Sequence, residues 1–92
     1  MIKRLRYKGI ERFFRTGSKA AITTTHAVRL RAQLTTLDAA TKPEDMNLPG
    51  WQWHPLEGVL AGHWGVTVNK RCRLTYTFKN GDAVLVDYQD YH

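Results

Sequence analysis

The spacing of apolar residues changes from helical to alternating near the middle of the chain. Before residue 41 apolar side chains recur every three or four positions, whereas from Trp51 onward they alternate with polar ones. This order indicates an α+β fold in which helices pack on one face of a small sheet. The alternation is clearest where one face holds Cys72, Leu74, Tyr76 and Phe78 and the other holds Arg73, Thr75, Thr77 and Lys79.

The first half of the chain contains a strand-like segment and two helical segments. Residues 2–7 favour a strand with imperfect alternation, and residues 8–15 favour a short helix whose core face includes Phe13 and Phe14. A threonine at position 23, 24 or 25 is suited to cap a second helix that runs to about Ala40. The expected core stripe of that helix is Ala27, Leu30, Leu34 and Leu37, with Arg29 and Gln33 off the stripe.

The second half predicts four strands. Residues 51–54 form a short strand ended by Pro55, residues 58–62 a loop, and residues 64–68 a second strand. Asn80-Gly81 is a strong signal for a type I′ hairpin that joins the strand at 72–79 to one at 83–88 or beyond. The predicted order is β-α-α-β-β-β-β, with two N-terminal helices on an antiparallel-rich sheet. Residues 1–92 are expected to form one domain, because so short a chain cannot support two cores.

Positive charge is concentrated near the start of the chain, whose net charge is +6. Residues 1–31 hold nine basic side chains and one acidic side chain, whereas residues 32–92 hold five basic and seven acidic ones. A solvated helix surface explains the first group equally well. The second basic group, Lys70, Arg71 and Arg73, lies near several aromatic residues, and the two groups together favour a nucleic acid partner.

Several other classes of protein find no support in the sequence. The single cysteine, Cys72, excludes an internal disulfide and suits a reducing compartment. No apolar run is long enough to span a bilayer, so we expect a cytoplasmic protein with no membrane partner. The four histidines are scattered, so we expect no metal and no other cofactor. Phosphate-loop and nucleophile-elbow motifs are also missing from the sequence.

Two histidines and one arginine supply the groups that RNA cleavage without a metal requires. His54 ends a predicted strand, and His92 is the last residue. One imidazole can remove the proton of a ribose 2′-hydroxyl while another protonates the leaving 5′-oxygen. Arg73 can stabilise the charged phosphorane from the open side of the sheet. The sequence allows His54 and His92 to lie close together in the fold, but it does not show that they do.

A structural role for each of these residues is the competing interpretation. An exposed strand arginine at position 73 could simply pair with Asp87 or Glu57. Cys72 shares its face with apolar residues and is expected to be a small buried side chain rather than a nucleophile.

Short motifs occur in a specific order along the whole chain. The second half contains His-Pro-Leu-x-Gly at 54–58, Gly-x-Trp at 62–64 before a Val-x-Val strand, Arg-Leu-x-Tyr at 73–76, Asn-Gly-Asp-Ala at 80–83 and a terminal Asp-Tyr-His. The first half contains Gly9 ahead of the Phe13-Phe14 helix and Leu-Asp-Ala-Ala-Thr at 37–41. With these motifs the chain resembles the HigB toxins of the RelE/ParE toxin superfamily.

The resemblance implies a RelE-like fold and a toxin of a type II toxin-antitoxin system. Such toxins are endoribonucleases, independent of metals, that cut messenger RNA in the ribosomal A site. The implied partners are a helix-turn-helix antitoxin (HigA-like), the 70S ribosome and its mRNA, and operator DNA only through the toxin-antitoxin complex. The catalytic residues implied by the resemblance are His54, Arg73, Asp90, Tyr91 and His92.

The resemblance also suggests a role for each of these residues. His54 and His92 are expected to transfer protons, in either order, and Arg73 to stabilise the phosphate. Asp90 would orient a histidine or transfer a proton itself, and Tyr91 would position the substrate or stack on it. The expected RNA-binding residues are Lys70, Arg71, Arg4, Arg6 and Lys8.

Two positions differ from the family pattern. Glu57 stands where relatives commonly carry lysine, and its carboxylate would repel a nearby phosphate. Cys72 stands where many relatives have tryptophan, so the packing beneath the site must differ. Two alternatives remain. One is a ParE-like gyrase inhibitor, against which the histidine-rich ending argues because ParE-type relatives lack it. The other is a basic RNA-binding module without catalysis, which is expected if Glu57 disables the site.

Overall fold

The computed structural model describes residues 1–20, 22 and 24–90. Two α-helices precede four strands, as the change in apolar spacing predicted. Short 3₁₀ turns lie at Thr24–His26, Pro43–Met46 and Gly58–Leu60. The elements are α1 (Lys8–Thr16), α2 (Ala27–Ala39), β1 (His54–Pro55), β2 (Trp64–Thr67), β3 (Cys72–Lys79) and β4 (Asp82–Asp90).

The four strands form one antiparallel sheet in the order β1-β2-β3-β4. The predicted hairpin between β3 and β4 is confirmed, because Asn80 and Gly81 have φ angles of 56° and 82°. The prediction of a strand at residues 2–7 is wrong. That segment makes two isolated parallel bridges to β4, and it lacks the run of consecutive paired residues that defines a strand. It nevertheless covers the outer edge of β4.

The core lies between the two helices and one face of the sheet. Phe13 of α1 and the predicted α2 stripe are buried against side chains such as Tyr76. Gln33 is also fully buried, which corrects its predicted place off the stripe. Its Nε2 donates to the Thr67 carbonyl at 2.9 Å, and Arg29 Nε donates to the same oxygen at 3.0 Å. Two polar side chains of α2 therefore attach this helix to the end of β2.

A β-bulge in β4 changes which side chains face the core. The register with β3 shifts between Thr75 and Thr77, and Leu85 adopts a φ of 53° in the left-handed region. Such a conformation costs a leucine on the order of 1–3 kcal/mol. Because of the extra residue, Ala83 and Val86 are both buried although strict alternation would separate them. Residues after the bulge therefore face the opposite side of the sheet from the one that strict alternation would give them.

A buried hydrogen-bond chain holds the segment that leads into β1. Trp53 Nε1 donates to the Tyr76 hydroxyl at 2.8 Å, and that hydroxyl donates to the Pro43 carbonyl at 3.0 Å. Tyr76 is fully buried, and this burial raises the pKa of its hydroxyl above its ordinary value, so the group stays protonated. Trp53 thus acts as a core anchor and places His54 next to it along the chain.

Candidate active site

His54 lies at the edge of the sheet in β1. Its Cα pairs with Gly65 on β2, and the same row continues through Thr75 to Asp87. The His54 side chain is exposed, and its Nδ1 lies 2.8 Å from the Gln52 carbonyl oxygen. A carbonyl only accepts hydrogen bonds, so Nδ1 carries the proton and Nε2 of the neutral ring has a free lone pair. This tautomer is the one a general base requires.

The backbone before His54 is itself unusual. Gln52 has a φ of 52°, in a region that residues other than glycine rarely adopt. This conformation accompanies the contact between its carbonyl oxygen and the imidazole. The Gln52 side chain accepts a hydrogen bond from the Thr67 hydroxyl at 3.0 Å, which attaches this segment to β2. A strained, anchored residue therefore orients the candidate base.

Arg73 lies in the neighbouring row of the same face. It pairs with Thr67 on β2 and with Gln89 on β4, and it is half-buried. His54 and Arg73 are separated by two strand spacings and two residues along the strands, so their Cα atoms are roughly 12 Å apart. Long side chains on one face can contact a common group across that distance. The predicted place of Arg73 on the side away from the helices is confirmed.

Thr75 lies on this face too, but it is buried rather than open. A Cβ at Gly65 would lie 3.4 Å from the Leu56 side chain and 3.8 Å from the Thr75 side chain, so both side chains lie beside Gly65. The Leu56 backbone N–H donates to the His63 carbonyl at 2.9 Å, which holds the segment after β1. The prediction of an open surface at Thr75 is therefore wrong, because Thr75 is only 1% exposed.

Two side chains of β4 also lie on this face: Asp87, which the sequence suggested only as a possible ion-pair partner of Arg73, and Gln89, which it did not single out. Gln89 Nε2 lies 3.4 Å from both the Thr75 hydroxyl and an Asp87 carboxylate oxygen. The other Asp87 oxygen accepts a hydrogen bond from the Tyr88 backbone N–H at 2.9 Å. Strict alternation from Ala83 would have placed Asp87 and Gln89 on the core face. Their position depends on the bulge, and no sequence signal marks that bulge.

Of the other predicted catalytic residues, only the backbone of Asp90 belongs to the described part of the chain. The Asp90 backbone pairs with Cys72, one position beyond the row of Arg73. Tyr91 and His92 lie outside the described residues, so their roles stay predictions. Cys72 is buried as predicted. The register therefore brings His54 and Arg73 to one face of the sheet.

The five predicted RNA-binding residues fall into separate places. Lys70 and Arg71 are exposed in the turn between β2 and β3, at the end of the sheet where Asp90 pairs. Arg6 and Lys8 are exposed on either side of Tyr7, whose ring lies 6.2 Å from that of Tyr88. Arg4 lies elsewhere, beside the β3–β4 hairpin.

Part of the N-terminal basic excess has structural roles. Arg31 lies over the Phe13 ring at 4.7 Å, and Arg15 pairs with Glu11 at 3.6 Å. Arg29 donates to the carbonyls of Thr67 and Gly50. Three of the nine cations in residues 1–31 therefore bind within the fold. The number of basic side chains that residues 1–31 offer to a partner is therefore smaller than their sequence suggests.

A buried histidine connects three elements around the site. His26 is 6% exposed, and its Nε2 accepts a hydrogen bond from the Asn69 side-chain amide. Its Nδ1–H then donates to the Tyr88 hydroxyl. Asn69 Oδ1 in turn accepts from the backbone N–H groups of Arg71 and Cys72 at 2.9 and 2.7 Å. The start of α2, the β2–β3 turn and the end of β4 are thus held together.

Replacing His26 with alanine should destabilise the protein by about 2–4 kcal/mol. The change removes one hydrogen bond each from Asn69 and Tyr88 and leaves a cavity beside α2. Urea unfolding monitored by fluorescence measures the difference. Val28→Ala, at an 85% exposed position of α2, is the matched control and should change stability by less than about 0.5 kcal/mol. If His26→Ala lowers the free energy of unfolding as little as Val28→Ala does, the hydrogen-bond network of His26 does not contribute to stability.

Metal-binding clusters and membrane-spanning helices are both missing from the described residues. No three of the histidine, cysteine, aspartate and glutamate side chains at positions 1–20, 22 and 24–89 are grouped so that they could bind a metal ion. In the same part of the chain, neither helix has the length and apolar character needed to cross a bilayer.

Comparison with solved structures first identifies a similar fold. The structure is similar to a chain of the YoeB-YefM complex from Staphylococcus aureus, with a TM-score of 0.65 over 100% of this chain and 98% of that one. The sequences are only 14% identical, so this similarity shows the fold alone.

Sequence comparison then defines the family. A family model described as the RelE-like toxin of type II toxin-antitoxin system HigB matches residues 3–92. The chain is also 35% identical to a curated protein of Proteus vulgaris named Endoribonuclease HigB, over 100% of both chains. The chain belongs to the HigB-like family of RelE-like toxins from type II toxin-antitoxin systems.

Proposed function

We propose that this toxin is an endoribonuclease that cuts messenger RNA in the A site of the translating ribosome. The observation that carries the proposal is the placement of His54 and Arg73 on one face of the sheet, with Nε2 of His54 free to accept a proton. The name of the full-length relative from Proteus vulgaris agrees with this activity. Residues 1–92 would act as a single toxin domain.

Cleavage would proceed by attack of the ribose 2′-hydroxyl on the adjacent phosphate. His54, in its neutral form, accepts the 2′-hydroxyl proton through Nε2. The tautomer favours His54 as the base and leaves protonation of the 5′-oxygen to the end of the chain. His92 is the group proposed for that step, with Asp90 orienting it and Tyr91 positioning the nucleotide.

Arg73 would stabilise the charge that develops on the phosphorane. Its guanidinium can bind two phosphate oxygens at once, and its half-buried place strengthens the interaction relative to bulk water. Lys70 and Arg71 in the nearby turn, with Arg6 and Lys8, would contact the RNA backbone. These contacts are electrostatic and read no sequence by themselves.

Changing Glu57 to lysine should increase the cleavage rate by about 2–10-fold. Glu57 is exposed three residues after His54, and a carboxylate there opposes the approach of the phosphate. Single-turnover cleavage on programmed ribosomes measures the effect. Glu57→Gln removes the charge without adding a cation and should give an intermediate rate. Equal cleavage rates for all three proteins would mean that the charge at position 57 does not affect the substrate phosphate.

The proposed partners follow from the family. A helix-turn-helix antitoxin would neutralise the toxin, and the occurrence of the similar Staphylococcus aureus chain in a YoeB-YefM complex agrees with a two-protein assembly. Operator DNA would be contacted only through that assembly. Since the substrate is ribosome-bound mRNA, the cytoplasm is the proposed place of action.

Mapping of mRNA 5′ ends in translating cells tests the proposed function. Expression of the wild-type protein should produce new ends within reading frames, and expression of His92→Ala should not. If the wild-type protein leaves mRNA intact and instead traps DNA breaks on gyrase, the protein is a ParE-like inhibitor. Intact mRNA together with retained RNA binding would indicate a binding module without catalysis.

A further inference from the structure

A cavity of 340 Å³ lies beside the β3–β4 hairpin, away from His54 and Arg73. Its walls come from the N-terminal segment and from the two strands of the hairpin. Backbone hydrogen bonds hold these walls together: Lys3 N–H donates to the Ala83 carbonyl at 2.9 Å, and Val86 N–H to the Arg4 carbonyl at 3.0 Å. The lining residues are Lys3, Arg4, Lys79, Val84 and Leu85.

The three cations of this cavity have no acidic partner in the described part of the chain. Asp82 is the cross-strand partner of Lys79, and its carboxylate pairs with the N-terminal ammonium at 3.5 Å. Asp38 accepts a hydrogen bond from the Ile2 backbone N–H at 2.9 Å. Three cations and the N-terminal ammonium around one carboxylate leave a positive excess, which raises the local potential and attracts an anion.

Two apolar residues also line the cavity. Leu85, held in the left-handed region at the β-bulge, lines it together with Val84, which pairs with Thr77 on the open face. An extended nucleotide presents a charged phosphate and an apolar base or sugar surface. A lining of three cations and two apolar side chains matches that combination better than it matches a free inorganic anion.

The cavity and the candidate active site share one face of the sheet. Arg73, Thr77 and Lys79 lie on the same side of β3 by alternation. Six residues separate Arg73 from Lys79, which corresponds to about 20 Å along the strand. An RNA strand with its scissile phosphate at Arg73 would reach the cavity a few nucleotides away.

We infer that the cavity of Lys3, Arg4 and Lys79 is a second phosphate site, which binds single-stranded RNA at a distance from the cleaved bond. The identity of the ligand as RNA rests on the proposed function. The site increases affinity and does not take part in the chemical step, because its cations lie too far from the scissile phosphate to stabilise it.

Binding of a fluorescein-labelled 12-nucleotide single-stranded RNA tests this inference. Fluorescence anisotropy is measured over a range of salt concentrations for the full chain and for the triple variant Lys3→Ala/Arg4→Ala/Lys79→Ala. We expect the variant to bind at least tenfold more weakly at low salt. The slope of log affinity against log salt should fall by about 0.7 for each lost phosphate contact, or about 2 in total.

A second triple variant supplies the control with the same net charge. Arg12→Ala/Lys19→Ala/Lys42→Ala removes three exposed cations that do not line the cavity. This variant should keep most of the affinity and of the salt dependence. Urea unfolding of both triple variants checks that they fold. Equal RNA affinity for the two folded variants overturns the inference.

An acidic peptide distinguishes RNA from a protein partner. The same proteins are titrated with a labelled 12-residue peptide of glutamate and leucine. If the cavity variant loses the peptide but keeps the RNA, the cavity is a protein-docking site and the inference is wrong. If ribosomes show no cleavage by the wild-type protein while RNA binding still depends on the cavity, the proposed function fails and the phosphate site stands.

Discussion

Replacing His54 with alanine should reduce the single-turnover rate of mRNA cleavage by about 10²–10⁴-fold, the usual contribution of a general base. The Nδ1 contact with the Gln52 carbonyl leaves Nε2 as the proton acceptor, so the loss should fall on the chemical step. Affinity for the programmed ribosome should change little, since one exposed imidazole contributes a small contact area compared with the basic surface.

His63→Ala is the matched control for this prediction. His63 is a second histidine near β1, and it holds the site segment through its backbone carbonyl, which accepts from Leu56 and which alanine keeps. We expect near wild-type cleavage from this variant. If His54→Ala cleaves within threefold of wild type, His54 is not the base and the acid-base pair must lie elsewhere.

Replacing Arg73 with alanine should reduce the cleavage rate by about 10²–10³-fold, as the loss of a preorganised charge at a transition state does. The half-buried place of Arg73 between Thr67 and Gln89 fixes the guanidinium on the face it shares with His54. Arg73→Lys should recover only part of the rate, because an ammonium keeps the charge but not the two-point geometry.

Arg12→Ala separates this effect from a simple loss of positive charge. Arg12 is exposed on α1 and lies outside the sheet face. Its replacement should leave the rate at saturating ribosome concentration unchanged. If Arg73→Ala alters only the concentration needed for half-maximal rate, Arg73 stabilises the ground state and the transition state equally and does not favour the transition state.

Much of the fold could be predicted from periodicity and turn chemistry. The α2 stripe and the Asn80-Gly81 hairpin were predicted because each depends on local sequence. Gln33 could not be placed, since its burial depends on the Thr67 carbonyl, a partner 34 residues away. The bulge at Leu85 could not be predicted either. Residues 83–86 are all apolar, so no alternation of apolar and polar residues shows where the side chains switch faces.

Individual residues of the candidate site could be predicted from the sequence, but their positions relative to one another could not. Alternation places Arg73 on the side away from the helices. The prediction of a strand at residues 51–54 that Pro55 ends is wrong, because β1 consists of His54–Pro55. The common face of His54 and Arg73 depends on the register across β2, which the sequence does not specify. The positions of Asp87 and Gln89 depend on the bulge, and the burial of Thr75 depends on tertiary packing that local patterns do not contain.

A single 2′-deoxy substitution in the mRNA tests the central claim most directly. Ribosomes are programmed with an mRNA whose cleaved A-site nucleotide carries either a 2′-hydroxyl or a 2′-hydrogen, and the purified toxin is added. We predict that the all-ribose mRNA is cut to a 2′,3′-cyclic phosphate and a 5′-hydroxyl, and that the deoxy bond stays intact. Cleavage of the deoxy bond, or products with a 5′-phosphate, would contradict acid-base catalysis of 2′-hydroxyl attack by His54 and its partners.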